Sequence, residues 1–161
     1  MKSASVTVDG QLISQIATGI LVFAAIGKDD MPKEVESMSG KILKVKLWDG
    51  DNGDKWKKNV TEIEGEVLCV SQFTLLASTK KGNKPSFHAS APAIKGKELY
   101  DSFVAKVRSD YKEDRVKDGV FQAMMDVGLV NDGPVGVDYR CEDEAVFAAP
   151  ACELVYDLST C

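Results

Sequence analysis

Val6 and Val8 on one side of Asp9-Gly10, with Leu12 and Ile16 on the other, predict a hairpin whose two turn residues take positive φ. Gly19-Ile-Leu-Val-Phe-Ala-Ala-Ile26 is then a continuous apolar run of strand length, as expected for a strand covered on both faces. Asp30, Pro32 and Glu34 mark a helix start, and Val35, Met38, Ile42 and Val45 follow at helical spacing, so this helix is expected to end near Lys44. Val45-Lys-Leu47 alternates like a short strand. Glu66 to Leu76 reads as a long central strand interrupted by Ser71, Gln72 and Thr74. From Pro92, the positions of Leu99, Phe103, Val104 and Val107 give a second amphipathic helix. Phe121 to Val130 and Val135 to Val137 complete the pattern as strands separated by Asn131-Asp-Gly-Pro134. Six or seven strands and two helices without regular βαβ alternation predict an α/β class fold, a sheet or barrel-like sheet with the helices packed outside.

Composition narrows this to one domain. A chain of 161 residues that is 44% apolar can bury a core without disulfides or a structural metal. Its 28% charged residues fit neither a disordered nor a fibrous class. We expect a domain over residues 1–138 and an acidic tail over 139–161, the tail partly docked through Phe147, Leu154, Val155 and Tyr156. The longest apolar stretch, Ile20 to Ile26, is too short to span a bilayer, and nothing near Met1 resembles a signal peptide, so a cytoplasmic location with no membrane partner is expected.

The reactive side chains are few. Cys69, Cys141, Cys152 and Cys161 show no CxxC spacing and the one histidine, His88, is remote from all of them, so no metal and no cofactor are expected. Asp49 to Asp54 lacks the spacing and terminal Glu of a calcium loop and reads as a turn. Any histidine-dependent nucleophile would have to run through His88, which sits in the loop-like Pro-Ser-Phe-His-Ala-Ser. Catalysis, if present, is therefore expected from backbone groups or from the substrate itself.

Charge is uneven. The net charge of −5 is concentrated in residues 139–161, which sum to −4. From Val67 to Lys97 there is no Asp or Glu, while Lys80, Lys81, Lys84, Lys95 and Lys97 make that segment +5. Two readings stand side by side: a solvated lysine loop, or a patch that contacts phosphates. Lys55, Lys57 and Lys58 form a second cluster.

Ser71-Gln72-Phe73-Thr74 places two hydroxyls, an amide and an aromatic ring at the end of an apolar strand. Strand alternation would put Ser71 and Phe73 on one face and Gln72 and Thr74 on the other. These groups either satisfy neighbouring backbone or line a pocket, and Thr74 as a nucleophile has no base beside it in sequence. Asn131-Asp-Gly-Pro134 reads as a turn. Phe87 and Phe121 read either as core residues or as surfaces on which a base stacks.

Taken together, Val70-Ser-Gln-Phe-Thr-Leu75, Lys84-Pro-Ser-Phe87 and Leu129-Val-Asn-Asp-Gly-Pro-Val135 closely resemble the D-aminoacyl-tRNA deacylase family. Ala4-Ser-Val-Thr-Val-Asp-Gly10 and Gly19-Ile-Leu-Val22 extend the likeness over residues 3–138. The resemblance implies a homodimer with its active site at the subunit interface and hydrolysis of the ester at the aminoacyl-tRNA 3′ end. It implies a pocket made by Ser71, Gln72, Phe73 and Thr74, with Phe87 and Phe121 near the substrate; for such a substrate the local charge makes Lys80, Lys81 and Lys84 the expected tRNA contacts. It further implies a cis Gly133-Pro134 element that enters the partner's pocket and rejects L-amino acids by leaving no space for their side chain. The chain departs from the family pattern at Val120 and Gly136, where an arginine and a threonine are usual, and its first strand is expected to be short. A competing expectation is a dimer of the same fold that binds nucleic acid without catalysis.

Overall fold

The computed structural model describes residues 1–133, 135–140 and 154–157. Pro134, and with it the expected cis bond, lies outside the described residues, as do most of 139–161 with Cys141, Cys152, Cys161 and Phe147.

The hairpin forms as the sequence demands. Strands β1 (Ser3–Val8) and β2 (Gln11–Ile16) are joined by Asp9 and Gly10 at φ 50° and 77°, the left-handed pair of a tight hairpin turn. On its other edge β1 pairs antiparallel with β6 (Asp126–Val130), giving the three-stranded order β2-β1-β6. The second sheet contains β3 (Gly19–Ala25), β4 (Glu66–Ser71), β5 (Val116–Asp118), β7 (Asp138–Arg140) and β8 (Leu154–Asp157), in the order β5-β4-β3-β8-β7 with every pairing parallel. The fold is mixed α/β. Among the described residues the strands make two open sheets and no closed barrel.

All seven residues of β3 are buried because it has a layer on each side. Ile20, Val22 and Ala24 join the helices α1 (Pro32–Lys44) and α2 (Ala93–Asp110) in one core with Met38, Ile42 and Phe103. Leu21 and Phe23 point the other way, meeting Ala4, Val6 and Ile16 of the hairpin. Each such fully buried side chain contributes about 1.5–3 kcal/mol, so this one apolar run holds three layers together. At the head of α1, Glu34 accepts a hydrogen bond from the Met31 amide at 2.7 Å, while Asp30 instead takes the buried Gly27 amide at 2.7 Å.

Four expected strands differ. Val45 to Leu47 forms no ladder: beyond it, Lys57 and Lys58 both donate to the Trp48 carbonyl, at 2.8 and 2.9 Å, a bulge that stops pairing at one bridge. The long strand from Glu66 ends at Ser71, where the Gln72 amide reaches back to Ala24 and Phe73–Leu76 coils into a 3-10 turn. Phe121 to Met125 is a turn, closed by Ala123 to Val120 at 3.1 Å, so β6 starts only at Asp126. Val135 to Val137 precedes β7 and is not a strand, and β5 goes unsignalled in the sequence because three residues carry no period.

Candidate functional site

Strands β3 and β4 run in parallel and stop side by side at Ala24 and Ser71. Beyond their carboxyl ends, where open parallel sheets leave a crevice, lies a cavity of about 460 Å³. Ser71, Gln72 and Phe73 form one wall as the chain leaves β4 and tightens into its 3-10 turn. The opposite wall comes from the first turn of α2 and from Phe121 to Met125. Ser90 closes a third side, held there because Lys28 donates to Ala89 and Ala91 to Ile26, both at 2.9 Å. Its hydroxyl donates to the Phe73 carbonyl at 3.3 Å, tying the two walls together.

The turn changes the faces that alternation assigned. Ser71, Gln72 and Phe73 all line the cavity, whereas Thr74 is exposed and its hydroxyl accepts from the Gln72 amide group at 3.1 Å. Phe87 does not line it; it packs edge-on behind Phe73, ring centroids 5.1 Å apart. Phe121 does line it, backed by the Tyr100 ring at 5.7 Å and with the Lys97 ammonium 6.0 Å from its centroid. Tyr100 in turn donates to Asp118 at 2.5 Å. Burial holds the Asp118 carboxyl above its ordinary range, against the opposing pull of that hydrogen bond and of Arg108. Burial likewise pushes the Tyr100 phenol up.

Lys80, Lys81 and Lys84 stand exposed on a small loop pinned by Ser78 and Ser86, which exchange hydrogen bonds at 2.8 and 2.9 Å. His88 is exposed too, with Ser86 at 3.0 Å from Nδ1, and is not part of the cavity wall. Sequence reasoning missed Ser90, Gln122, Met124 and Met125. Two adjacent methionines after an aromatic were the available signal, since a polarizable flexible pair suits an adaptable wall. No group of three metal-ligating side chains occurs among the described residues.

Gly133 is elsewhere. With Asn131 and Asp132 it borders a second cavity of about 710 Å³ at the amino end of β3, around Gly19, Trp48 and Trp56. Its φ of 89° is one that L side chains avoid, yet a Cβ there would meet no described atom within 4 Å. Within one chain, then, Ser71 to Phe73 and Gly133 face different cavities.

The model of the D-Tyr-tRNA(Tyr) deacylase family matches residues 1–139. A D-aminoacyl-tRNA deacylase of Yarrowia lipolytica is 51% identical over 145 residues, covering 89% of this chain and 94% of that protein. That of Saccharomyces cerevisiae is 44% identical over 137 residues, 85% and 91% of the two chains. Among solved structures, one described as the c-Myc DNA Unwinding Element Binding Protein superposes with a TM-score of 0.80 at 40% identity, covering 93% of this chain and 95% of its own. Family model, relatives and fold agree over the same residues that build the cavity: this chain belongs to the D-Tyr-tRNA(Tyr) deacylase family.

Proposed function

We propose that the chain is a hydrolase that cleaves the ester between a D-amino acid and the 3′ end of tRNA, releasing free D-amino acid and reusable tRNA. The observation that carries the reading is the cavity lined by Ser71, Gln72 and Phe73 at the strand ends, in a chain of this family. An aminoacyl ester is already activated, so water suffices as nucleophile once the carbonyl is held and its developing charge receives hydrogen bonds. Amides at the start of the 3-10 turn have no partner inside it, and those of Phe73 and Thr74 are the donors we assign to the oxyanion. The ribose hydroxyl beside the ester orients the water. Phe121, tilted 39° against the Tyr100 ring, forms the apolar wall of the acyl pocket. Lys80, Lys81 and Lys84 meet the tRNA backbone.

The working unit is a homodimer in the cytoplasm, its active sites at the subunit interface. Supporting this is the separation of Gly133 from its own subunit's acyl cavity: a Gly133-Pro134 filter acts only on the pocket of a partner. The filter is rigid backbone that leaves no room for an L side chain, so glycine, which has none, passes it. No helix among the described residues is long and apolar enough to cross a membrane.

The test is turnover of D-tyrosyl-tRNA against L-tyrosyl-tRNA by catalytic amounts of protein, with Gly133→Ala alongside. The D ester is hydrolysed and the L ester spared; Gly133→Ala loses more than about tenfold in kcat/KM for the D ester, beyond any loss of folded protein. Binding of tRNA without turnover of either ester would instead make the chain a nucleic-acid-binding module. Equal hydrolysis of both would remove the filter.

A further inference from the structure

Trp56 is placed at a cost that packing does not explain. Its backbone sits at φ 57°, a region where a bulky side chain is a true outlier, and the residue is 46% exposed. Folding alone would favour Gly or Asn at such a position and would bury a tryptophan. The surrounding loop nevertheless holds it firmly: Gly50 donates to Asp54 at 2.7 Å, and the bulge in which Lys57 and Lys58 share the Trp48 carbonyl follows directly. Bulges of this kind re-aim side chains next to functional sites. Here Trp56 lines the 710 Å³ cavity, whose apolar residues include Leu47, Trp48 and Ile63 and whose polar residues include Asn131 and Asp132.

We propose that Trp56, flanked by Lys55 and Lys57, is a stacking platform for an unpaired nucleotide just upstream of the aminoacylated terminus. The proposal rests on the deacylase reading above, and it locates a contact for the single-stranded tRNA end that is separate from the acyl pocket. Charge decides the mode of binding. Asp49, Asp51 and Asp54 offset Lys55, Lys57 and Lys58 in this loop, and Asp49 pairs with Lys55 at 2.6 Å, so the platform does not capture phosphates by net charge. Affinity comes instead from the π-face, which stacks on any base. Among the described residues no ion pair engages Lys57, which leaves it for the adjacent phosphate. Gly133 borders the same cavity, so on the dimer reading above the platform of one subunit adjoins the partner's acyl pocket.

The experiment compares two substrates, D-tyrosyl-tRNA and D-tyrosyl-adenosine, the second lacking every upstream nucleotide. Trp56→Ala raises KM for D-tyrosyl-tRNA about tenfold with kcat unchanged, leaves D-tyrosyl-adenosine unaffected, and is rescued by Trp56→Phe. The loss is insensitive to salt. Titration with an RNA oligonucleotide ending in CCA quenches tryptophan fluorescence in the wild-type protein and not in Trp56→Ala. Equal loss on both substrates, a change of oligomeric state in Trp56→Ala, or identical quenching overturns the platform. If the wild type turns over neither substrate, the deacylase reading fails, and the oligonucleotide titration still judges the platform.

Discussion

Cys69 and His88 are the side chains a chemist would choose for nucleophilic work, and neither reaches the acyl cavity. Cys69 is fully buried in β4; desolvation, with Asp118 next, pushes its thiol up, and a neutral thiol is a poor nucleophile. His88 is exposed on its loop. Thr74, the remaining candidate, has its hydroxyl outside the wall, accepting from Gln72. Thr74→Ala therefore keeps most of its D-aminoacyl-tRNA turnover, measured as kcat on folded protein; a drop to background would make the hydroxyl a nucleophile after all. The polarity of Ser71 to Thr74 made this site readable in the sequence. Which of the four faces the pocket was not readable, because a 3-10 turn replaces the two-residue period of a strand with a three-residue one.

At the scale of elements, β5 and the turn after it are fixed by a small polar network. Tyr100 of α2 donates to Asp118, Ser14 of β2 donates to the Asp118 carbonyl, and the next amide, Gly119, donates to Cys69 at 2.9 Å. This anchors the segment that carries Phe121. The Asp118 pKa is raised in the folded chain, so the folded state holds that proton more tightly than the unfolded one. Its contribution to stability is full below the ordinary carboxyl value of 3.8 and is lost as pH rises through the raised value. Asp118→Asn keeps an acceptor for Tyr100 and removes that titration: its denaturation midpoint varies less than wild type over the mildly acid range, and matches or exceeds it at pH 7. A wild-type profile that rises with pH over that range and is unchanged in Asp118→Asn would contradict this. Both helices were legible because long elements repeat their period. β5 was not, since its existence is decided by β4 alongside it, and the strand expected at Val45 was lost to a bulge made by residues ten positions away.

For the molecule as a whole, local charge outweighs the net value. The chain is −5 overall, yet Lys80, Lys81 and Lys84 project together from one pinned loop whose far end leads into Phe87 and so to the back of Phe73. Replacing all three by Gln raises KM for charged tRNA and reduces the slope of log affinity against log salt by about 2–3, the loss of three phosphate contacts. An unchanged slope returns them to solvent. Ser71 to Phe73 and Gly133 face different cavities of one chain, a separation that residue period and spacing do not report.

The closure of the small sheet has a consequence for how the protein is made. β1 finds β2 within a few residues, but its other edge waits for β6, with Ser3 opposite Val130. At about 5–20 residues per second, roughly 6–24 s of translation separate Val8 from Asp126. Throughout that interval the emerging hairpin presents an open row of amides and carbonyls beside the apolar Ala4 and Val6, the arrangement by which nascent chains on neighbouring ribosomes join edge to edge. The alternate positions Ser3, Ser5 and Thr7 put hydroxyls on its outer face, which lowers the reward for such joining until β6 arrives.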